Sequence, residues 1–204
     1  DMTKVNGDSI FPVLNMLNAK YFIVPLQGEQ TVPIRNPYVY GNAWFVDKIA
    51  YVDNANAELD KLGTLDLRHE AVADARFRSQ LGEAKVQDST SIVRLMAYEP
   101  NQLTYDVRSA TGGIVVFSEI FYPEWTATVD GKAVDLGRVN YVLRALQVDE
   151  GHHTVVLTFD PKSVKQTETV AYLSYGVLLL VVLLAVFFRK KQPHPQSILK
   201  EKKE

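Results

Sequence analysis

The sequence predicts a mainly β protein: an antiparallel β-sandwich with a small α+β N-terminal portion, followed by a single C-terminal transmembrane helix. Three observations carry this. Between residues 91 and 161, six β-prone segments recur about every ten residues with turn signals between them. The pair Asp130-Gly131 separates Ala127-Thr128-Val129 from Lys132-Ala133-Val134, the pattern of a two-residue hairpin whose central positions both need positive φ. Val170 to Phe188 reads VAYLSYGVLLLVVLLAVFF, nineteen residues without charge or proline, with only Ser174 and Gly176 as small interruptions.

In chain order, residues 8 to 18 predict a short helix capped by Asp8 or Ser9, with Pro12 in its first turn and Val13, Leu14, Met16 and Leu17 as its apolar face. Tyr21 to Val24 predict a strand that stops at Pro25, and GEQTVPIRNP reads as loop. NAWFVDKIAYVDN reads as one strand, or two broken near Asp47. Residues 54 to 63 form a short amphipathic helix with an Asn cap, a Gly stop, and Leu59 and Leu62 on one side. The polar stretch 66 to 90 offers only short strands, around Glu70 to Val72 and Ala84 to Val86. SIVRLMAYEP, QLTYDVRSA, GIVVFSEIF, TATVDGKAV, YVLRALQV and HTVVLTFDP then form the sandwich. The expected divisions are an α+β portion over 1–90, the sandwich over 91–164, the membrane helix over 165–189 and a basic tail over 190–204.

The nineteen apolar residues make roughly 28 Å of helix, close to the ~30 Å hydrocarbon core of a bilayer. No face carries a polar stripe, as a buried soluble helix would. The formal net charge of −2 is uneven: residues 189–204, with Arg189, Lys190, Lys191, Lys200, Lys202 and Lys203, carry +4, leaving −6 upstream. The positive-inside rule therefore expects the tail in the cytoplasm and the large domain outside. With Asp1 as its first residue and no export segment ahead of it, the chain is expected to be the C-terminal piece of a longer exported or polytopic protein. Its charge gives no reason to expect nucleic acid as a partner, and the lack of cysteine removes thiol catalysis and Cys-type metal sites.

Candidate chemistry is sparse. His152 and His153 are adjacent, so in a strand they point to opposite faces and cannot easily share one ion. Glu119, Glu124, Asp130 and Asp135 are near in sequence, and a glycosidase needs two carboxylates across a sugar, but acids beside turns are commonly solvated surface. Arg138 and Arg144 are expected in salt bridges to nearby acids, or as phosphate or carboxylate ligands. Tyr122, Trp125, Asn140 and Tyr141 are the candidate contact residues for a glycan or partner, because aromatic platforms beside an amide suit sugar stacking. The same residues, and Trp44, also suit sheet packing. No catalytic residue, metal site or cofactor is expected.

The run VFSEIFYPEWTATVDGKAVDLGRVNYVLRALQVDEGHHTVVLTFDPKS leads into the terminal helix, and LNMLNAKYFIVP and NAWFVDKIAYVDN lie upstream. In order and residues they resemble the C-terminal end of YfhO-type bacterial membrane proteins over nearly the whole chain. One departure is Glu124, where the family often has Gly before the tryptophan; only a local turn should change. The resemblance implies similarity to GT-C glycosyltransferases: many membrane helices, a lipid-phosphate-linked sugar donor and transfer on the outer face of the bacterial cytoplasmic membrane. It also implies that the catalytic acids lie near N-terminal helices outside this chain. The expected partners are the bilayer through residues 170–188, upstream membrane helices of the same protein and an acceptor glycan. Two further readings stay open: a membrane-anchored cell-surface module binding carbohydrate or protein, and a glycoside hydrolase using the acids near the hairpin.

Overall fold

A computed structural model describes residues 11–26 and 30–190, and the expected caps Asp8 and Ser9 and the tail beyond residue 190 lie outside these. The chain divides into two units, Asp1–Asp160 and Pro161–Glu204.

In the first unit, α1 (Pro12–Met16) opens with Pro12 at its start and precedes β1 (Tyr21–Pro25). The segment read as loop contains β2 (Thr31–Arg35), which pairs antiparallel with β1 to make a separate two-stranded ribbon. Pro33 hid it, since proline usually argues against a strand; in a two-stranded ribbon every strand is an edge, and an edge tolerates a missing donor.

NAWFVDKIAYVDN breaks at Asp47 into β3 (Ala43–Val46) and β4 (Lys48–Val52). The break redirects the chain between sheets: β3 joins the sandwich, while β4 pairs in parallel with β5 (Glu70–Asp74). The connection is α2 (Ala55–Leu62), whose Asn54 side chain accepts from Ala57 N–H at 3.0 Å. On α2, Leu62 is buried as expected, but Leu59 is exposed and Glu58 is fully buried. After β5 come a 3₁₀ turn (Ala75–Phe77) and α3 (Arg78–Leu81), where strand Ala84–Val86 was expected; residues 84–86 belong to no strand.

The sandwich strands are β6 (Ile92–Glu99), β7 (Gln102–Ser109), β8 (Gly113–Ile120), β9 (Trp125–Val129), β10 (Lys132–Val134), β11 (Gly137–Val139), β12 (Leu143–Val148) and β13 (Gly151–Phe159). They form a five-stranded sheet, β10-β9-β13-β7-β6, and a four-stranded sheet, β11-β12-β8-β3, all antiparallel. Asp130 and Gly131 take φ of 51° and 78°, as a tight β9–β10 hairpin requires.

The four-stranded sheet is a middle layer. One face packs Val115, Phe117, Leu146 and Val148 against Leu103, Tyr105, Val107, Val155 and Leu157 of the five-stranded sheet. Its other face packs Trp44, Val46, Ile114, Val116 and Ala145 against Met16, Leu62, Val72 and Leu81 of the N-terminal elements. This is why Gly113–Phe117 is buried throughout rather than alternating. Gly137 lets α3 close on this layer, since a Cβ there would lie 2.5 Å from Leu81 Cγ.

The second unit is α4 (Lys162–Lys190), 29 residues or about 43 Å of helix. It is long and apolar enough to cross a membrane, and none of its apolar window is buried. The hydroxyls of Thr167, Thr169 and Ser174 donate to carbonyls one turn back, at 2.7, 2.9 and 2.8 Å, so they need no external partner.

Candidate functional site

Of the four candidate contact residues, Tyr122 and Trp125 are brought together and Asn140 and Tyr141 fall in a different group. Phe159, the last residue of β13, lies opposite Trp125 of β9 in register, and its ring is 5.4 Å from Trp125 and 6.2 Å from the exposed Tyr122. Arg144, on the inward face of β12, lays its guanidinium 3.8 Å from the Trp125 ring centroid. That distance is a close cation–π stack. Arg144 is buried; its Nε–H donates to Ile120 O at 2.9 Å, and Nη2 lies 3.7 Å from Glu119 Oε2.

Burial pushes the Glu119 carboxyl up and Arg144 pulls it down, while burial lowers the guanidinium's pKa and Glu119 opposes that. Burial raises the Tyr105 phenol well above its usual range, and the Glu119 charge adds to the shift, so the phenol stays protonated and remains a donor. Tyr105 Oη and Arg144 Nη1 are buried and make no hydrogen bond among the described residues. The group is an aromatic surface backed by two donors with spare capacity, an arrangement that accepts an oxygen-rich, partly apolar ligand.

Asn140 and Tyr141 sit between β11 and β12 with φ of 49° and 69°. Asn140 is fully buried: its N–H donates to Val72 O at 2.7 Å and its Oδ1 accepts from Val72 N–H at 3.0 Å, locking the turn to β5. Tyr141 N–H donates to Glu58 Oε1 at 2.7 Å, and Glu58 Oε2 takes Arg138 Nη2 at 2.8 Å. Burial raises the Glu58 carboxyl's pKa, while these two donors lower it. Arg138 thus finds an acid, but one 80 residues away rather than a near neighbour in sequence.

The adjacent histidines take separate acids: His152 Nε2 pairs with Asp106 Oδ1, and His153 Nδ1 lies 2.7 Å from Asp130 Oδ2. Among the described residues no group of three or more potential ligands could hold a metal ion. Of the acids near the hairpin, Glu119 is engaged by Arg144 and Asp130 by His153. Glu124 takes φ of 72°, the left-handed region that favours glycine. Trp44 packs edge-on to Tyr40, ring centroids 5.3 Å apart, in the inner core.

A feature that the sequence reading passed over is apolar surface on the N-terminal elements. Phe11, Val13, Leu14, Leu17, Tyr21, Ile23, Val24 and Ile34 are all exposed, Ile23 by 74%. The ribbon β1–β2 is tied to α1 by the Asn36 Nδ2 to Asn15 Oδ1 bond of 2.8 Å and the 5.5 Å contact of Phe11 with Phe22. Exposed apolar area of this kind marks an interaction surface.

The fold and these groups define a β-sandwich unit in a chain with, among the described residues, one candidate membrane-spanning helix. Residues 76–171 match the family model described as Bacterial membrane protein YfhO, so this stretch, from the 3₁₀ turn into the start of α4, is a YfhO-type region. No curated protein and no solved structure matches the chain. The family match and the apolar helix together support association with a lipid bilayer.

Proposed function

We propose that the chain is the extracytoplasmic C-terminal domain and last anchor of a polytopic membrane protein of lipid-linked-sugar-dependent glycosyltransferase type. It is not itself catalytic. It docks on upstream membrane helices of the same protein and presents Tyr122 and Trp125 to an acceptor glycan. The large domain lies outside the bacterial cytoplasmic membrane and the basic tail inside. The observation that carries this reading is the exposed apolar face of α1 and the β1–β2 ribbon. A two-stranded ribbon is marginal by itself, and one with Ile23 and Ile34 in water needs a cover. Membrane helices of the same protein would supply it, and the YfhO match and the charge asymmetry around α4 agree with that origin.

Cysteine labelling tests it, because the chain contains no cysteine of its own. Single substitutions Val86→Cys, Ile23→Cys and Ser197→Cys are placed in the full-length protein, with any cysteine upstream of this chain replaced by serine, in whole cells and treated with a membrane-impermeant maleimide. Val86, 70% exposed on the domain, should label quickly. Ser197→Cys should label only after the membrane is permeabilised, and Ile23→Cys should be protected. Labelling at position 197 in intact cells would reverse the orientation, and equal rates at 23 and 86 would remove the docking surface.

A further inference from the structure

We infer that the gap between the edge strands β3 and β6 is a binding site for a neutral saccharide. It shares no lining residue with the Tyr122–Trp125 group and does not depend on the glycosyltransferase reading.

The edges of the two sheets lie beside a cavity of about 370 Å³ lined by Tyr40, Trp44, Asp47, Arg68, His69 and Asp88 among others. That volume lies in the range of small-molecule sites. Its walls combine the aromatic residues Tyr40, Trp44 and Phe45 with hydrogen-bonding groups of both kinds. Trp44 is 5% exposed, and its Nε1–H is buried and makes no hydrogen bond among the described residues. A buried indole N–H without an acceptor is destabilising, because it has given up water and gained no partner. A ligand oxygen in the cavity would remove that cost.

The polar groups around it are held in place before any ligand arrives. Asp47 accepts Gln87 N–H through Oδ1 at 2.9 Å and faces His69 Nδ1 through Oδ2 at 2.9 Å. Arg68 Nη1 donates to Tyr40 O at 3.1 Å, and its guanidinium lies 5.5 Å from the Tyr40 ring centroid. Asp88 gathers Thr90 and Ser91 through both backbone and hydroxyl donors, which also hold its carboxyl below the usual range. Fixed acceptors, fixed donors and aromatic edges match the alternating hydroxyls and apolar faces of a sugar ring. An anion would meet Asp47 and Asp88, and an acyl chain would meet charged walls. A neutral polyhydroxylated ring avoids both penalties.

Tryptophan emission provides the test, since Trp44 and Trp125 are the two tryptophans of the chain. In Trp125→Phe, Trp44 is the chain's single remaining tryptophan, so the emission reports this cavity and not the Tyr122–Trp125 group. The full chain is placed in lipid nanodiscs, because glycoside detergents would compete. It is titrated with glucose, galactose, N-acetylglucosamine and maltose. At least one should change Trp44 emission saturably. Ser91→Phe, which puts a ring into the lining, should raise the apparent Kd about tenfold or more while leaving thermal unfolding near that of the parent. Trp44→Phe keeps the aromatic ring and loses the donor; saturation-transfer NMR should show binding weakened by roughly tenfold, the value of one hydrogen bond. No saturable response to any of the four sugars overturns the inference. So does an unchanged affinity in both variants, or displacement of the signal by inorganic phosphate.

Discussion

Glu58 Oε2 lies 2.8 Å from Arg138 Nη2, with the carboxylate fully buried and the guanidinium 17% exposed. The pair joins α2 to β11, and the second carboxylate oxygen, taking Tyr141 N–H, fixes the turn that follows. Arg138 also lies 5.8 Å from the Phe77 ring and 5.3 Å from the Tyr141 ring, so the helix layer and the middle sheet are clamped at one point. Glu58→Ala leaves Arg138 and the Tyr141 N–H without their acceptor and should cost about 3 kcal/mol. Glu58→Gln keeps one acceptor oxygen and should cost roughly half as much. Urea unfolding followed by circular dichroism measures both; a loss below about 1 kcal/mol for the alanine variant would show that the clamp is dispensable.

The contact between His153 and Asp130 makes stability depend on pH. The Asp130 carboxylate 2.7 Å away raises the pKa of His153 above its ordinary 6.5. A raised folded-state value means that the contribution is fully present below pH 6.5 and is lost as pH rises through the higher folded value. The protein should therefore lose stability on the alkaline side of pH 6.5. Asp130→Asn keeps an oxygen for Thr154 N–H and a residue suited to positive φ, yet removes the charge. Its urea midpoint should change much less over the same pH interval. Equal slopes in the two proteins would assign the pH dependence elsewhere.

How far the sequence reaches is clear from where it stops. Alternation and turn residues located β6 to β10, β12 and β13, because those signals are local to each strand, although β8 and β13 pair only with strands distant in sequence. Asn54 announced α2 in the same way. What stayed hidden depends on long-range partners. β11 is three residues long and exists through its pairing with β12 and its closeness to Leu81. β5 lies where a short strand around Glu70 to Val72 was expected, but its parallel pairing with β4 stayed hidden, because no local turn encodes it. Glu58 lies on a helix whose apolar side was read as Leu59 and Leu62, yet it is a fully buried acid. The candidate residues show the same limit: composition could name Tyr122, Trp125, Asn140 and Tyr141, but only the fold separates the first two, beside Arg144, from the latter two, beside Val72 and Glu58.

Glu124 offers a direct measure of backbone strain. Its φ of 72° places a Cβ in the left-handed region, at the turn before β9 where its carbonyl accepts Asp160 N–H at 3.3 Å. Glycine adopts this conformation without penalty, whereas an L side chain costs about 1 kcal/mol. Comparing Glu124→Gly with Glu124→Ala isolates the strain, since both lose the carboxylate. The glycine variant should unfold at higher temperature than the alanine variant, with a difference of about 1 kcal/mol. A more stable alanine variant would mean that the turn relaxes out of the left-handed region in solution.

The Arg144 and Glu119 pair can be dissected so that packing and ligand roles separate. Both groups lie between the sheets, and burial opposes the charge on each, so removing one leaves the other ion without compensation. Arg144→Met should therefore cost about 3 kcal/mol, and adding Glu119→Gln should restore a good part of it. Arg144→Lys keeps the charge but not the planar stack on Trp125 or the Nε–H bond to Ile120 O, and should fall between the parent and Arg144→Met. In a Trp44→Phe background the emission of Trp125 reports whether its ring is still covered, and both Arg144 variants should shift it to the red. The double variant then decides what the site is for. If it folds to near-parental stability yet the sugar transfer proposed above for the full-length protein is lost, the spare donor at Arg144 Nη1 serves the ligand. If transfer survives, the stack on Trp125 holds the sheets together and does nothing more.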